Sequence, residues 1–136
     1  MKFNNLFVVD DDKVHHFIIK KLLEKNSIQV NPSFFENGFD ALCALNERLN
    51  TEENLPDLIL LDINMPVLDG WQFMEELKDL PNEILDRITL YIVSSSEDYF
   101  NTDKLEQFKC LIEGYIVKPM TSETILNIFQ QKKATL

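Results

Sequence analysis

Apolar and polar positions alternate along this chain in blocks of two periods, one suited to strands and one to helices. Phe3 to Val9 is a β-rich apolar run that stops at Asp10, Asp11 and Asp12. Asp12 is placed to cap the next element. Val14, Phe17, Ile18 and Leu22 then recur as the apolar stripe of a helix ending near Asn26. Ile28 to Phe35 predicts a second strand, and Pro32 within it points to a sheet edge. Asn37 to Asn50 predicts a helix with Leu42, Leu45 and Leu49 on one face, followed by a polar loop to Pro56. Leu58 to Leu61 is the most apolar run, which suits a central strand. Gly70 to Leu80 predicts a helix buried through Phe73, Met74 and Leu77, and Pro81 to Arg87 a connection. Ile88 to Val93 predicts the fourth strand, ending at Ser94, Ser95 and Ser96. Asp98 to Ile112 predicts a helix with Leu105, Phe108 and Ile112 inward. Gly114 to Val117 is a short fifth strand, ending at Lys118 and Pro119. Thr121 or Ser122 caps a last helix that turns Ile125, Ile128 and Phe129 inward.

Regular βα alternation implies an α/β fold, one doubly wound parallel sheet with helices on both faces. No linker or internal repeat interrupts it, so residues 1–136 read as one domain with no output domain attached. A content of 45% hydrophobic residues is enough for a real core. No run approaches the roughly 18 apolar residues of a membrane span, and the N-terminus does not read as a signal peptide. Thirteen basic against 23 acidic side chains give a net charge of -10, which argues against nucleic acid as a partner. Cys43 and Cys110 fit no metal or redox spacing. They predict reduced core or near-core thiols in a cytoplasmic protein.

Ligands of open parallel sheets sit beyond the carboxyl ends of the strands. Those ends carry Asp10 and Asp11, then Asp62, then Ser94, then Lys118. In the order 2-1-3-4-5 the first and third strands are neighbours, about 5 Å apart, so three carboxylates converge. Alone they repel and raise one another's pKa. A hard divalent cation such as Mg2+ removes that conflict, since it takes oxygen ligands and keeps waters and phosphate oxygens around it. A carboxylate can attack phosphorus to give an acyl phosphate. Lys118 would then pair with one phosphoryl oxygen as a point charge, and the Ser94 hydroxyl would donate to another.

With VVDDD at Asp10 and Asp11, LLDINMPVLDG at Asp62, YIVSSS at Ser94 and GYIVKP at Tyr115 and Lys118, the chain resembles the receiver domain of two-component response regulators. The resemblance covers essentially the whole chain, and all four motifs occur in order. It implies a flavodoxin-like five-stranded sheet. It implies that Asp62 takes a phosphoryl group from a sensor histidine kinase or a histidine phosphotransfer protein. Asp11 and Asp62 would hold Mg2+ directly, Asp10 mainly through water, and the Asn64 backbone carbonyl would be the remaining protein ligand. Lys118 would contact the phosphoryl group, with its bond to Pro119 cis. Ser94 would shift toward the phosphoryl group and Tyr115 would change rotamer with it. That switch remodels the face of the fourth predicted helix, fifth strand and last helix, where a downstream protein target binds. The resemblance also leaves room for a phosphorylation-dependent homodimer. It implies a phosphorylated signalling protein rather than an enzyme, catalysing only its own phosphoryl transfer and dephosphorylation. Asn64 and Ser96 hold the positions that tune phosphoryl lifetime in the family. The segments Asn50 to Pro56 and Pro81 to Arg87 are longer than in the shortest members, on the sheet edge opposite the site.

Other readings are weaker. Asp10-Asp11-Asp12-Lys13-Val14 literally fits the DxDx[TV] motif of haloacid-dehalogenase-like phosphatases, with Asp10 as nucleophile and Asp12 as acid/base. That family needs a late acidic pair, and only Glu123 follows Lys118. No GxxxxGK loop is present for a GTPase, and the acids after the first strand oppose a flavin carrier. A receiver-like docking module that takes no phosphate is the non-catalytic rival. Asp69-Gly70 reads as a turn and helix start. His15 and His16 read as part of the solvated face of the first helix, and Trp71 as packing beside the site.

Overall fold

A computed structural model of the chain describes residues 3–95 and 102–130. Its elements run β1 (Asn5–Val9), α1 (Lys13–Lys25), β2 (Asn31–Phe35), α2 (Gly38–Thr51), β3 (Leu58–Asp62), α3 (Gly70–Leu77), the single turn α4 (Asn82–Leu85), β4 (Thr89–Ser94), α5 (Thr102–Phe108), β5 (Ile112–Val117) and α6 (Ser122–Gln130). The strands form one sheet in the order β2-β1-β3-β4-β5, and every neighbouring pair is parallel. The flavodoxin-like order is as the resemblance implied, and the central place of Leu58 to Leu61 is as the pattern predicted. Strand β2 lies at the edge, where Pro32 removes one donor at little cost.

Alternation within the central strands divides the core in two. Phe7, Val9, Ile59 and Leu61 face a cluster completed by Ala41, Leu45, Phe73, Met74, Leu77 and Phe108 of α2, α3 and α5. Leu6, Val8, Leu58 and Leu60 face the opposite cluster, closed by Ile19, Leu23, Ile125 and Ile128 of α1 and α6. A strand covered on both faces has no solvent side, which is why β3 is apolar without alternation.

Several elements differ from the pattern. Helix α1 turns His15, Ile19 and Leu23 inward. Val14 and Phe17, expected on the inner stripe, are 67% and 59% exposed. The cap at Asp12, whose carboxylate accepts from Val14 and His15 N–H, fixes the helix phase. That phase buries positions 15, 19 and 23 at the i, i+4, i+8 spacing. The two histidines therefore do not sit on a solvated face. His15 is 2% exposed, and the half-buried His16 ring packs 5.2 Å from that of Phe34. Ile112 opens β5 instead of closing the preceding helix. The expected helix start at Asp98, and Ser96, lie outside the described residues. Helix α3 stops at Leu77 rather than Leu80, and the predicted connection from Pro81 contains the turn α4. Cys43 and Cys110 are free thiols, as expected, but both are exposed. Cys43 lies two residues from both Ala41 and Leu45, on the outward side of α2. Residues of the two longer connections, among them Leu55, Ile84 and Arg87, line a cleft of about 240 Å³ beside the first residues of β3 and β4. That places both connections at the sheet end opposite the acids. Among the described residues no helix is long and apolar enough to cross a membrane.

Candidate phosphoacceptor site

Strands β1 and β3 run in parallel register with Val9 beside Leu61, so Asp10, just past β1, and Asp62, the last residue of β3, lie side by side at the carboxyl end of the sheet. Oxygens of Asp10, Asp11 and Asp62 lie within 4.8 Å of one another. Asp10 and Asp62 are buried and Asp11 is exposed, so the cluster has a dry wall and a wet mouth. Ser94 ends β4 fully buried, and its backbone carbonyl accepts from Lys118 N–H at 2.8 Å. The Lys118 ammonium reaches back across the sheet. It lies 2.9 Å from Asp10 Oδ2 and 3.4 Å from Asp62 Oδ2. The Lys118–Pro119 bond is cis, as the resemblance implied.

The two buried acids differ in how they are held. Asp10 accepts from Asp12 N–H at 2.9 Å and Lys118 at 3.0 Å through Oδ1, and meets His15 Nδ1 at 3.0 Å through Oδ2. Burial opposes ionisation of Asp10, but these donors outweigh it, and the carboxyl sits below its usual range. Among the described residues, the donors to Asp62 are both long, Lys118 at 3.4 Å and Asn64 N–H at 3.3 Å. Burial, and then the Asp10 charge, push its pKa up to about 6. For Lys118, burial works against the charge, yet its contacts to Asp10 and Asp62 raise its pKa above the ordinary lysine value. Asp62 is thus an ionisable carboxylate with lone pairs to offer, facing a cation it does not fully engage.

The loop after Asp62 is built to pass close to two helices. A Cβ on Gly70 would lie 2.7 Å from the Asp62 carbonyl oxygen, and one on Gly38 would lie 2.8 Å from that of Leu68. Gly70 N–H donates to the Ile63 carbonyl at 2.9 Å. Asp69 and Gln72 form a reciprocal capping box at the start of α3. The Asp69-Gly70 pair is therefore the expected helix start, a cap and a close approach, and the turn lies just before it. Just before Asp69, Leu68 N–H donates to the Pro66 carbonyl at 2.7 Å. This tight turn holds Val67 at φ 70°, a conformation costly for a β-branched residue.

The structure brings together Asp10, Asp11, Asp62 and Lys118, with Ser94 at the adjoining strand end. Tyr115 is 44% exposed on β5, and Asn64 is exposed in the loop beyond Asp62. Trp71 packs beside Phe108 with centroids 6.0 Å apart, as expected of a packing residue. The phosphatase-like alternative loses its residues to other work: Asp12 caps α1, and both oxygens of Asp10 are engaged by Lys118 and their neighbours. Sequence reasoning missed His15. Its signal was the HH pair three residues past the last of the acids, which periodicity assigned to the wrong side of the helix.

A buried acid pair, a bridging lysine and a hydroxyl at the carboxyl ends of a 2-1-3-4-5 sheet define a receiver-type site. The response regulator receiver domain model matches residues 6–130. The chain belongs to that family. It is 32% identical over 123 residues to hybrid signal transduction histidine kinase E of Dictyostelium discoideum, a match covering 89% of the chain and 7% of the kinase. It is 30% identical to protein PilH of Pseudomonas aeruginosa, over 89% of the chain and 90% of that protein. The crystal structure of the phosphorylated cyanobacterial phytochrome response regulator RcpA superposes with a TM-score of 0.74 at 27% identity, covering 97% of this chain and 96% of that one.

Proposed function

We propose that the chain is a phosphoacceptor receiver of a two-component phosphorelay, with Asp62 as the acceptor. The carrying observation is the contrast at the site. Asp10 is fully engaged, while Asp62 stands 3.4 Å from Lys118 with its pKa near 6. An ionised Asp62 oxygen would attack phosphorus of a phosphohistidine on a sensor kinase or phosphotransfer protein. The new O–P bond forms as the P–N bond breaks and neutral imidazole leaves after taking up a proton. Lys118 would follow the charge onto the phosphoryl oxygens, and Ser94 would donate to another of them. The three clustered carboxylates fit a hard divalent cation, with Asp11 and Asp62 as direct ligands, Asp10 acting through water, and the Asn64 carbonyl completing the protein set. Mg2+ bound there would supply charge neutralisation for the transferring group. The phosphorylated relative RcpA supports the same chemistry.

In this reading the protein acts in the cytoplasm and catalyses only its own phosphorylation and dephosphorylation. Output leaves through the face of α5, β5 and α6, where the exposed Tyr115 stands, to a protein target or a second phosphorylated copy. The test is incubation with Mg2+ and acetyl phosphate followed by intact-protein mass measurement. One phosphoryl adduct on the wild type, absent from Asp62→Asn, is the expected result. No adduct with acetyl phosphate or a phosphorylated histidine donor would favour a docking module instead.

A further inference from the structure

Among the described residues, His15 is a buried side chain with a specific polar role that the phosphoacceptor chemistry does not itself use. Its two ring nitrogens are both engaged. Met120 N–H donates to Nε2 at 3.2 Å, across 105 residues of sequence. A backbone N–H can only donate, so Nε2 is the acceptor and the ring proton sits on Nδ1. Nδ1–H then donates to Asp10 Oδ2 at 3.0 Å. One ring thus links Asp10 of the carboxylate cluster to the segment directly after Lys118 and Pro119. Lys118 bonds the same Asp10 from the other side. The result is a closed loop: Asp10, His15, Met120, the Lys118–Pro119 segment, and Asp10 again.

We propose that His15 is a positioning residue: through its Nδ1 donor it fixes the Asp10 carboxylate for cation binding, and through Nε2 it keeps the Lys118 segment in register with it. The inference rests on the phosphoacceptor reading. Metal-site carboxylates depend on such partners for their orientation, and losing one typically costs 10- to 100-fold in metal affinity or activity. In this chain the partner comes from a helix, so one residue ties the buried face of α1 to the shape of the acidic site.

The two nitrogens can be separated by substitution. An Asn side chain places its amide near the Nδ1 position, and a Gln side chain reaches the Nε2 position. His15→Leu fills the apolar surroundings and removes both contacts. Mg2+ is titrated calorimetrically into the full chain of each variant, and the acetyl phosphate reaction is followed over a range of Mg2+ concentrations. His15→Asn is expected to bind Mg2+ within about twofold of wild type, and His15→Gln and His15→Leu about tenfold more weakly. The half-saturating Mg2+ for phosphorylation should move by the same factor, while the rate at saturating Mg2+ returns to within about twofold.

Wild-type Mg2+ affinity in both His15→Gln and His15→Leu, with only the melting temperature lowered, would reduce His15 to packing and overturn the proposal. Weakening in His15→Asn equal to that in His15→Leu would overturn it too, since the Asp10 contact would then not decide affinity. If His15→Gln does not fold, the Asn–Leu pair carries the same comparison. Failure of the parent reading shows separately, as a wild type that neither binds Mg2+ nor takes up phosphate, and the proposal falls with it.

Discussion

Strand β3 has an acid at each end, Asp57 just before it and Asp62 as its last residue, and the two are treated in opposite ways. Asp57 accepts from Asn4 N–H at 2.9 Å and Asn5 N–H at 3.0 Å, tying the start of β1 to the start of β3. Its backbone carbonyl also accepts from Thr89 N–H at 3.0 Å, so it holds three strands in register. Asp62 is more deeply buried yet accepts from one backbone N–H and a distant ammonium. A carboxylate held by backbone donors is finished as structure. One left short of donors in a dry site retains the capacity to bind a cation or a reacting group.

The sharpest way to break this comparison is to remove each acid in turn. Asp62→Asn should abolish the phosphoryl adduct, a loss beyond about a thousandfold, because a neutral amide is no nucleophile. Asp57→Asn should leave the adduct rate unchanged and cost about 1–3 kcal/mol of stability, read by urea unfolding, because backbone donors lose a charged acceptor. An Asp57→Asn variant that folds normally but takes no phosphate would dissolve the distinction.

Lys118 is the next test. Lys118→Gln should slow phosphorylation from acetyl phosphate by about 10²- to 10³-fold, the scale for losing one preorganised charge partner in a reacting site. Cation binding should distinguish the ends more gently. Mg2+ at a hundred times its Kd should stabilise the wild type by about 2.7 kcal/mol in thermal unfolding. Asp57→Asn should keep that increment and Asp62→Asn should lose most of it.

The pH dependence follows from the raised pKa of Asp62. The folded carboxyl releases its proton near 6, against an ordinary 3.8. Between those values the folded chain holds the extra proton, so metal-free stability falls as pH rises across that window. Asp62→Asn should remove that fall and leave the metal-free protein about 1–2 kcal/mol more stable at pH 7, after allowance for solvent screening. A smaller effect tests the strain in the loop beyond Asp62. Val67 holds φ 70° while 82% exposed. Val67→Gly should therefore gain up to about 1 kcal/mol in urea unfolding without changing the adduct.

The sheet and the acids were legible because both follow from local rules. Strand ends with acids stand out against apolar runs, and parallel order brings Asp10 beside Asp62 whatever the loops do. Helix phase was not legible in α1. Val14 and Phe17 are apolar and helically spaced, yet the buried face carries His15. Its burial depends on two partners outside its own helix, the Asp10 carboxylate and the Met120 backbone, and periodicity sees neither. The same holds for Ile112. A helical spacing from Phe108 suited it, but pairing with Leu90 across the sheet draws it into β5. The helix start at Asp69-Gly70 was visible in the motif, but the capping box was not. The close approach at Gly70 required the folded loop.

The central claim is that Asp62, and not a neighbouring acid or histidine, is the nucleophile. The most direct measurement is to label the wild type with acetyl phosphate and Mg2+, reduce the product with borohydride, and locate the modified residue by peptide mass spectrometry. Acyl phosphates are reduced to the alcohol, which marks the acceptor carboxyl permanently. The account predicts conversion at Asp62 alone. Conversion at Asp10, or phosphate retained on His15 or His16 with Asp62 unmodified, would contradict it.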